Sequence, residues 1–235
     1  MLRRAYGQAS VLDVLDELYT PELTDQRRDH AHKAAHAFRQ REMHWRQNVH
    51  LQCTYGEFDL DLFTLLLDRA SVQEGDTFVD LGSGAGRLVL AAALLKPQVW
   101  ERCAGVELLE LLHKQAEGSA RKLRELVSAL APVEFLLADL FDPLNPRVTE
   151  LLSSASVVVA YAITWARDEN GRLVTLSNLL GATLKDGARV IVVDAKLIDT
   201  PRVEFEHIGS DEGWNEDTGL VRGHVFRVRV RCETV

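Results

Sequence analysis

Hydrophobic and polar positions along the chain follow two rhythms. From residue 76 onward, short β-branched apolar runs alternate with stretches of helical period, as in a parallel sheet with crossover helices. The runs predict strands at 77–81, 103–108, 133–138, 156–162 and 189–194. Between them the 3.6-residue period predicts helices at 87–96, 109–130 and 173–184, the last stopped by Lys185-Asp186-Gly187. These make five βα units. The tail breaks the rhythm, because 203–208 and 224–230 alternate strictly and are joined by 209–223 without a helical period, so they predict an antiparallel pair. Upstream, residues 1–50 carry only Gly7 and Pro21 as breakers, and two helices are expected, at 11–19 and from 23 to about 50. The division that results is a helical N-terminal extension, 1–52, and one α/β domain, 53–235.

Composition narrows the partners. The chain has 235 residues, 46% of them hydrophobic, enough to bury one substantial core. Its 27 Lys and Arg against 35 Asp and Glu give a net charge of -8, so nucleic-acid binding is not indicated by charge. No apolar run approaches the roughly 20 residues that cross a bilayer, and acidic and polar residues interrupt the N-terminus after Arg3-Arg4. A soluble protein of the cytoplasm or nucleus is expected, with its oligomeric state open. Cys53, Cys103 and Cys232 are odd in number and widely spaced, which suggests neither a disulfide framework nor a zinc site. His30, His32, His36, His44 and His50 crowd the second helix, but no acidic or thiol ligand accompanies them at matching spacing; they read as a solvated face and no metal is expected.

The chemistry concentrates where strands end. Asp80-Leu81-Gly82-Ser83-Gly84-Ala85-Gly86 falls between a predicted strand and a predicted helix. Glycines at 82 and 84 allow a sharp turn and close approach to a ligand, and Gly86 lets the helix pack near the strand. A dinucleotide fingerprint reads G-x-G-x-x-G and prepares a helix start for pyrophosphate; here the spacing is G-x-G-x-G after an acidic residue, which suits a cationic ligand instead. Glu107 ends the second strand, where a carboxylate can accept both hydroxyls of a ribose. Asp139 ends the third, positioned to accept from an adenine amino group while Leu140 or Phe141 covers the ring. Each carboxylate also suits a plain helix cap. Together they describe a pocket for an adenosine-bearing cation, S-adenosylmethionine (SAM), with S-adenosylhomocysteine as product.

Five parallel strands followed by an antiparallel hairpin are the order of the SAM-dependent methyltransferases, so the expected fold is a Rossmann-like seven-strand α/β sheet with helices on both faces. Tyr55-Gly56-Glu57, then Phe78 through Gly86, then Gly105-Val106-Glu107 resemble the non-SET histone lysine methyltransferases, the disruptor-of-telomeric-silencing family, over roughly residues 54–197. The resemblance implies that the Tyr55–Glu57 loop closes over the methionine end of SAM. It gives the glycine motif, with Asp80, Gly82, Ser83, Gly84 and Gly86, the cradle and Glu107 the ribose, and it carries Asp139 along with them. It also implies protein lysine methylation, with a histone as the natural candidate partner.

The likeness fails at the fourth strand end. The family there carries Asn-Asn-Phe-Ala-Phe lining a lysine channel, whereas this chain reads Tyr161-Ala162-Ile163-Thr164-Trp165. Tyr161 and Trp165 are the candidate acceptor-side residues, with Tyr55 near the sulfonium; Trp165 as a simple core cap is the alternative. A small-molecule or non-histone acceptor stays open for the same reason. So does a SAM-binding interaction module without catalysis. The acidic stretch 210–217 suits either a basic peptide or plain solvation.

Overall fold

A computed structural model describes residues 11–41, 58–142, 144–161, 165–215 and 219–231. Its centre is a seven-stranded sheet of order β3-β2-β1-β4-β5-β7-β6. The strands are β1 (Asp76–Leu81), β2 (Trp100–Glu107), β3 (Val133–Leu137), β4 (Val157–Ala160), β5 (Arg189–Val193), β6 (Val203–Asn215) and β7 (Gly219–Val230). β1 to β5 pair in parallel, while β7 runs antiparallel between β5 and β6. The Rossmann-like seven-strand sheet ending in an antiparallel hairpin is therefore present.

Alternate residues along each central strand feed two separate cores, which is how a parallel sheet covered on both faces buries its side chains. Phe78, Cys103, Val157, Val159 and Ile191 face one core; Val79, Ala104, Val106, Val158 and Val190 face the other. The described helices are α1 (Val11–Leu18), α2 (Pro21–Arg41), α3 (Leu60–Arg69), α4 (Arg87–Leu95), α5 (Glu110–Leu126), α6 (Pro146–Ser154) and α7 (Val174–Thr183). Residues of α1 to α5 join the first core, and those of α6 and α7 the second. The chain thus changes faces after β3, and β1 and β4 flank the switch point, outside whose carboxyl edge ligands bind in open α/β sheets. Cys103 of β2 is buried in the first core, and burial pushes its thiol pKa well above the usual value, so it serves as an inert core residue.

Several boundaries differ from expectation. α5 stops at Leu126 rather than 130, and β4 is confined to Val157–Ala160. α2 begins at Pro21, as suits a proline in a first turn; its expected continuation past Arg41 lies outside the described residues, as do Cys53 and Cys232. Two helices went unread. α3 is capped by Asp59, whose carboxylate accepts from Leu62 N at 2.6 Å, and α6 by Asn145, which accepts from Arg147 N at 3.1 Å.

The largest correction concerns 209–223, expected as a loop and found almost entirely within β6 and β7. Three of its glycines provide clearance for α3. A Cβ at Gly209 would meet Arg69 Nη1 at 2.5 Å, at Gly213 Leu62 Cβ at 2.7 Å, and at Gly223 Leu66 Cδ1 at 2.3 Å. Between them Asp211, across from Gly223, pairs with Arg69 through bonds of 2.5 and 2.7 Å. Glu212 is likewise bonded to Arg222, so these two acidic residues are internal partners rather than a free peptide-binding surface.

Among the described residues no helix is long and apolar enough to cross a membrane. Truncation of Leu66, fully buried between α3 and the two glycine-bearing strands, tests the clearance argument. Leu66→Ala is expected to cost about 3 kcal/mol, read as a lower urea midpoint at unchanged m-value.

Candidate functional site

β1 delivers Asp80 to the carboxyl edge of the sheet, and the chain turns through 82–86 into α4. Gly86 caps that helix at φ +86°, where a Cβ would also stand 2.7 Å from Phe135 Cζ; both the backbone angle and the contact call for glycine. The turn is held from the β2 side. Gly82 N and Ser83 N both donate to Val106 O, at 2.9 and 3.0 Å, and Gly86 N donates to Ser83 O at 2.8 Å. Gly84 N donates to Glu107 Oε2 at 2.8 Å.

A pyrophosphate would need those amides free and would face two carboxylates. Asp80 and Glu107 are 3% and 7% exposed and close enough to repel. Burial, then the Glu107 charge, pushes Asp80 up to about 8. No described residue donates a hydrogen bond to it. Burial likewise raises Glu107, against the pull of backbone N–H groups from Leu109, Gly84 and Leu108. Glu107 Oε1 accepts from Leu109 N at 2.8 Å, so the carboxylate is fixed by one backbone bond to each oxygen. Each oxygen keeps a second lone pair for a ligand hydroxyl.

Gly105 owes its place to the same turn. A Cβ there would strike Ser83 Oγ at 2.5 Å, since Ser83 folds back over β2. Among the described residues the buried Ser83 hydroxyl has no hydrogen-bond partner.

Asp139 follows β3 at the same edge, half-buried, and its Oδ1 accepts from Phe141 N at 2.9 Å. No helix starts here, so in place of the expected helix cap the carboxylate holds its own turn. Leu140 is buried in the second core, and Phe141 packs edge-on against Trp165 at 5.6 Å between ring centroids. Trp165 in turn lies against the glycine turn, for a Cβ at Gly82 would meet its Cζ2 at 3.3 Å. Tyr161 packs with the first core instead, 5.0 Å from Phe58. The two aromatic candidates therefore join different hydrophobic clusters. Tyr55 and Glu57 lie outside the described residues, as do Ala162, Ile163 and Thr164.

Two features had no signal in the sequence. The Tyr19 hydroxyl donates to Ala85 O in the turn at 2.8 Å, a contact across 66 positions of chain. A cleft of about 370 Å³ opens past the end of β5, lined among others by Asp194, Lys196, Arg222 and His224. Asp194 there has φ +47°, uncommon for a residue with a side chain, and its Oδ1 accepts from Arg222 N at 2.8 Å. Among the described residues no group of three or more His, Cys, Asp or Glu converges as a metal site.

Comparison with known proteins places this arrangement. In fold the chain is similar to TrmN from Thermus thermophilus, with TM-score 0.54 and 19% identity over 73% of this chain and 49% of that one. It is similar also to the rRNA methyltransferase aviRa of Streptomyces viridochromogenes, with TM-score 0.51 and 16% identity over 74% of this chain and 86% of that one. The [4+2]-cyclase SpnF scores 0.52 at 12% identity over 73% of this chain and 82% of that one, so the fold alone does not fix the reaction. In sequence it is 28% identical over 143 residues to a Caenorhabditis elegans protein, "Histone-lysine N-methyltransferase, H3 lysine-79 specific". That match covers 59% of this chain and 14% of the relative. Residues 22–211 match the family described as "Histone methylation protein DOT1". Since that match runs from α2 through the glycine turn, the strand-end carboxylates and into β6, the chain belongs to the DOT1 histone methylation family.

Proposed function

We propose that the chain is a SAM-dependent methyltransferase acting on a protein lysine, with a histone as the first candidate. The buried Asp80–Glu107 pair beside a turn whose amides are internally bonded carries this reading. Such a pair rejects phosphate and accepts a ligand with an ammonium group and vicinal hydroxyls. SAM has both. In this reading Asp80 receives the ammonium, Glu107 the ribose hydroxyls, Asp139 the adenine edge, and Leu140 with Phe141 the ring face. Gly82, Ser83, Gly84 and Gly86 shape the cradle, and Tyr55 and Glu57 close over it.

When bound, SAM supplies a methyl group activated by its sulfonium. The chain's part is to orient the acceptor and exclude water. An aromatic wall disfavours the charged form of an incoming lysine, lowering its pKa without a dedicated base. Tyr161 and Trp165 are assigned to that wall, with Tyr55 near the methyl. A histone substrate would imply work in the nucleus.

One observation favours a second acceptor class. The 161–165 segment lacks both carboxamides of the family's lysine channel, and the net charge of -8 offers no evident hold on nucleosomal DNA. A non-histone protein or a small molecule is therefore the alternative. Incubation with radiolabelled SAM and, separately, nucleosomes, free histones and a small-molecule extract decides between them. Label on a histone lysine is expected, and label confined to the extract would move the assignment.

The cofactor assignment has its own test. Asp80→Asn is expected to weaken SAM binding by about 30-fold or more, the scale of leaving one partner of a buried charge pair unmatched. In the parent, ammonium binding requires Asp80 ionised, so SAM affinity should rise from pH 6 to 7.5 with release of a proton. Calorimetry in two buffers measures this.

The sign for stability is opposite. Asp80 is raised from the ordinary carboxylate range to about 8, so between these pH values the folded chain holds a proton that the unfolded chain has lost. Its contribution therefore falls as pH climbs from about 4 to 8. Asp80→Asn should gain stability relative to the parent over pH 5 to 8, as read by urea unfolding.

A further inference from the structure

We infer that Tyr19 is a positioning residue through which the N-terminal helices set the affinity of the cofactor site. This rests on the SAM reading and goes beyond it, because Tyr19 stands outside the motif that forms the cradle. The turn has anchors on two sides. From the sheet, Val106 O and the Glu107 carboxylate hold Gly82, Ser83 and Gly84. From the extension, the Tyr19 hydroxyl holds Ala85 O at 2.8 Å.

Tyr19 is itself tightly fixed. It is 4% exposed, and its backbone N donates to Leu15 O at 2.9 Å, which ties it to the end of α1. The Arg27 guanidinium of α2 stands 4.4 Å from its ring centre and donates to Leu18 O at 3.0 Å. Arg87, the first residue of α4, lies 5.9 Å from the same ring. One ring therefore links α1, α2 and the start of α4.

Ala85 is fully buried, so loss of the hydroxyl leaves its carbonyl shielded from water and without that donor. The turn must then shift to relieve it, and Gly84 moves with it against Glu107. The consequence falls on the fit of the ammonium and ribose, not on the acceptor.

Tyr19→Phe keeps the ring and its cation contacts while deleting the bond. The expected result is a SAM dissociation constant raised about five- to tenfold, with kcat at saturating SAM unchanged and the melting temperature little altered. Leu15→Ala is the companion variant: Leu15 is fully buried on α1, so its truncation loosens the helix but leaves the hydroxyl in place. At a temperature where it is folded, it should bind SAM within about twofold of the parent. Parental affinity in Tyr19→Phe would overturn the inference, as would an equal loss in Leu15→Ala, which would reduce Tyr19 to helix docking. A parent chain that binds no SAM would instead overturn the cofactor assignment on which the inference stands.

Discussion

The constraint on which the site depends is electrostatic: two carboxylates, Asp80 and Glu107, share one buried edge of the sheet with no described cation beside them. Ionised together in a low-dielectric setting they repel, and burial alone already opposes their charge. Glu107 offsets this through backbone N–H donors from the glycine turn and from the start of α5, whereas Asp80 finds no such relief among the described residues, and burial raises it to about 8. One group thus organises the turn, and the other is the one to which the proposed function gives the ligand's positive charge. In the proposed reading, the repulsion that costs stability also selects the ligand.

The glycine turn depends on elements far from it in sequence. Every residue from Leu88 to Leu95 in α4 is buried, because the sheet covers one side of the helix and α1 packs on another. A helix apolar all round needs such a double cover. The family match begins inside α2, in keeping with an extension that shares a core with the α/β domain. Tyr19 adds a directed bond to that nonspecific burial, which is how a covering helix comes to bear on the glycine turn.

On the opposite flank, α3 lies across the β6–β7 hairpin, and the strands carry glycine where its side chains press closest. Arg69 and Asp211 fix the register of helix on hairpin. Beyond the end of β5, Arg222 and His224 of this hairpin line the cleft that Asp194 and Lys196 also border.

Much of this was written in local pattern. The alternation of β-branched runs with helical periods determined the five parallel strands, and strict period-2 alternation at both ends of the tail determined the antiparallel pair, because each period reflects which faces of one element meet the core. The strand-end acids and the glycine spacing were legible for the same reason, each being a property of a few consecutive residues. What only the tertiary structure decided was which distant groups meet. Glycines at 209, 213 and 223 lie in a stretch expected as a connection, yet they give clearance to Arg69, Leu62 and Leu66 across the fold. Tyr161 and Trp165, neighbours in a motif, join different cores, and Asp139 bonds its own turn. The Tyr19–Ala85 bond spans 66 positions, and its two partners carry no mark of each other, since periodicity records burial but not the direction in which a hydroxyl points.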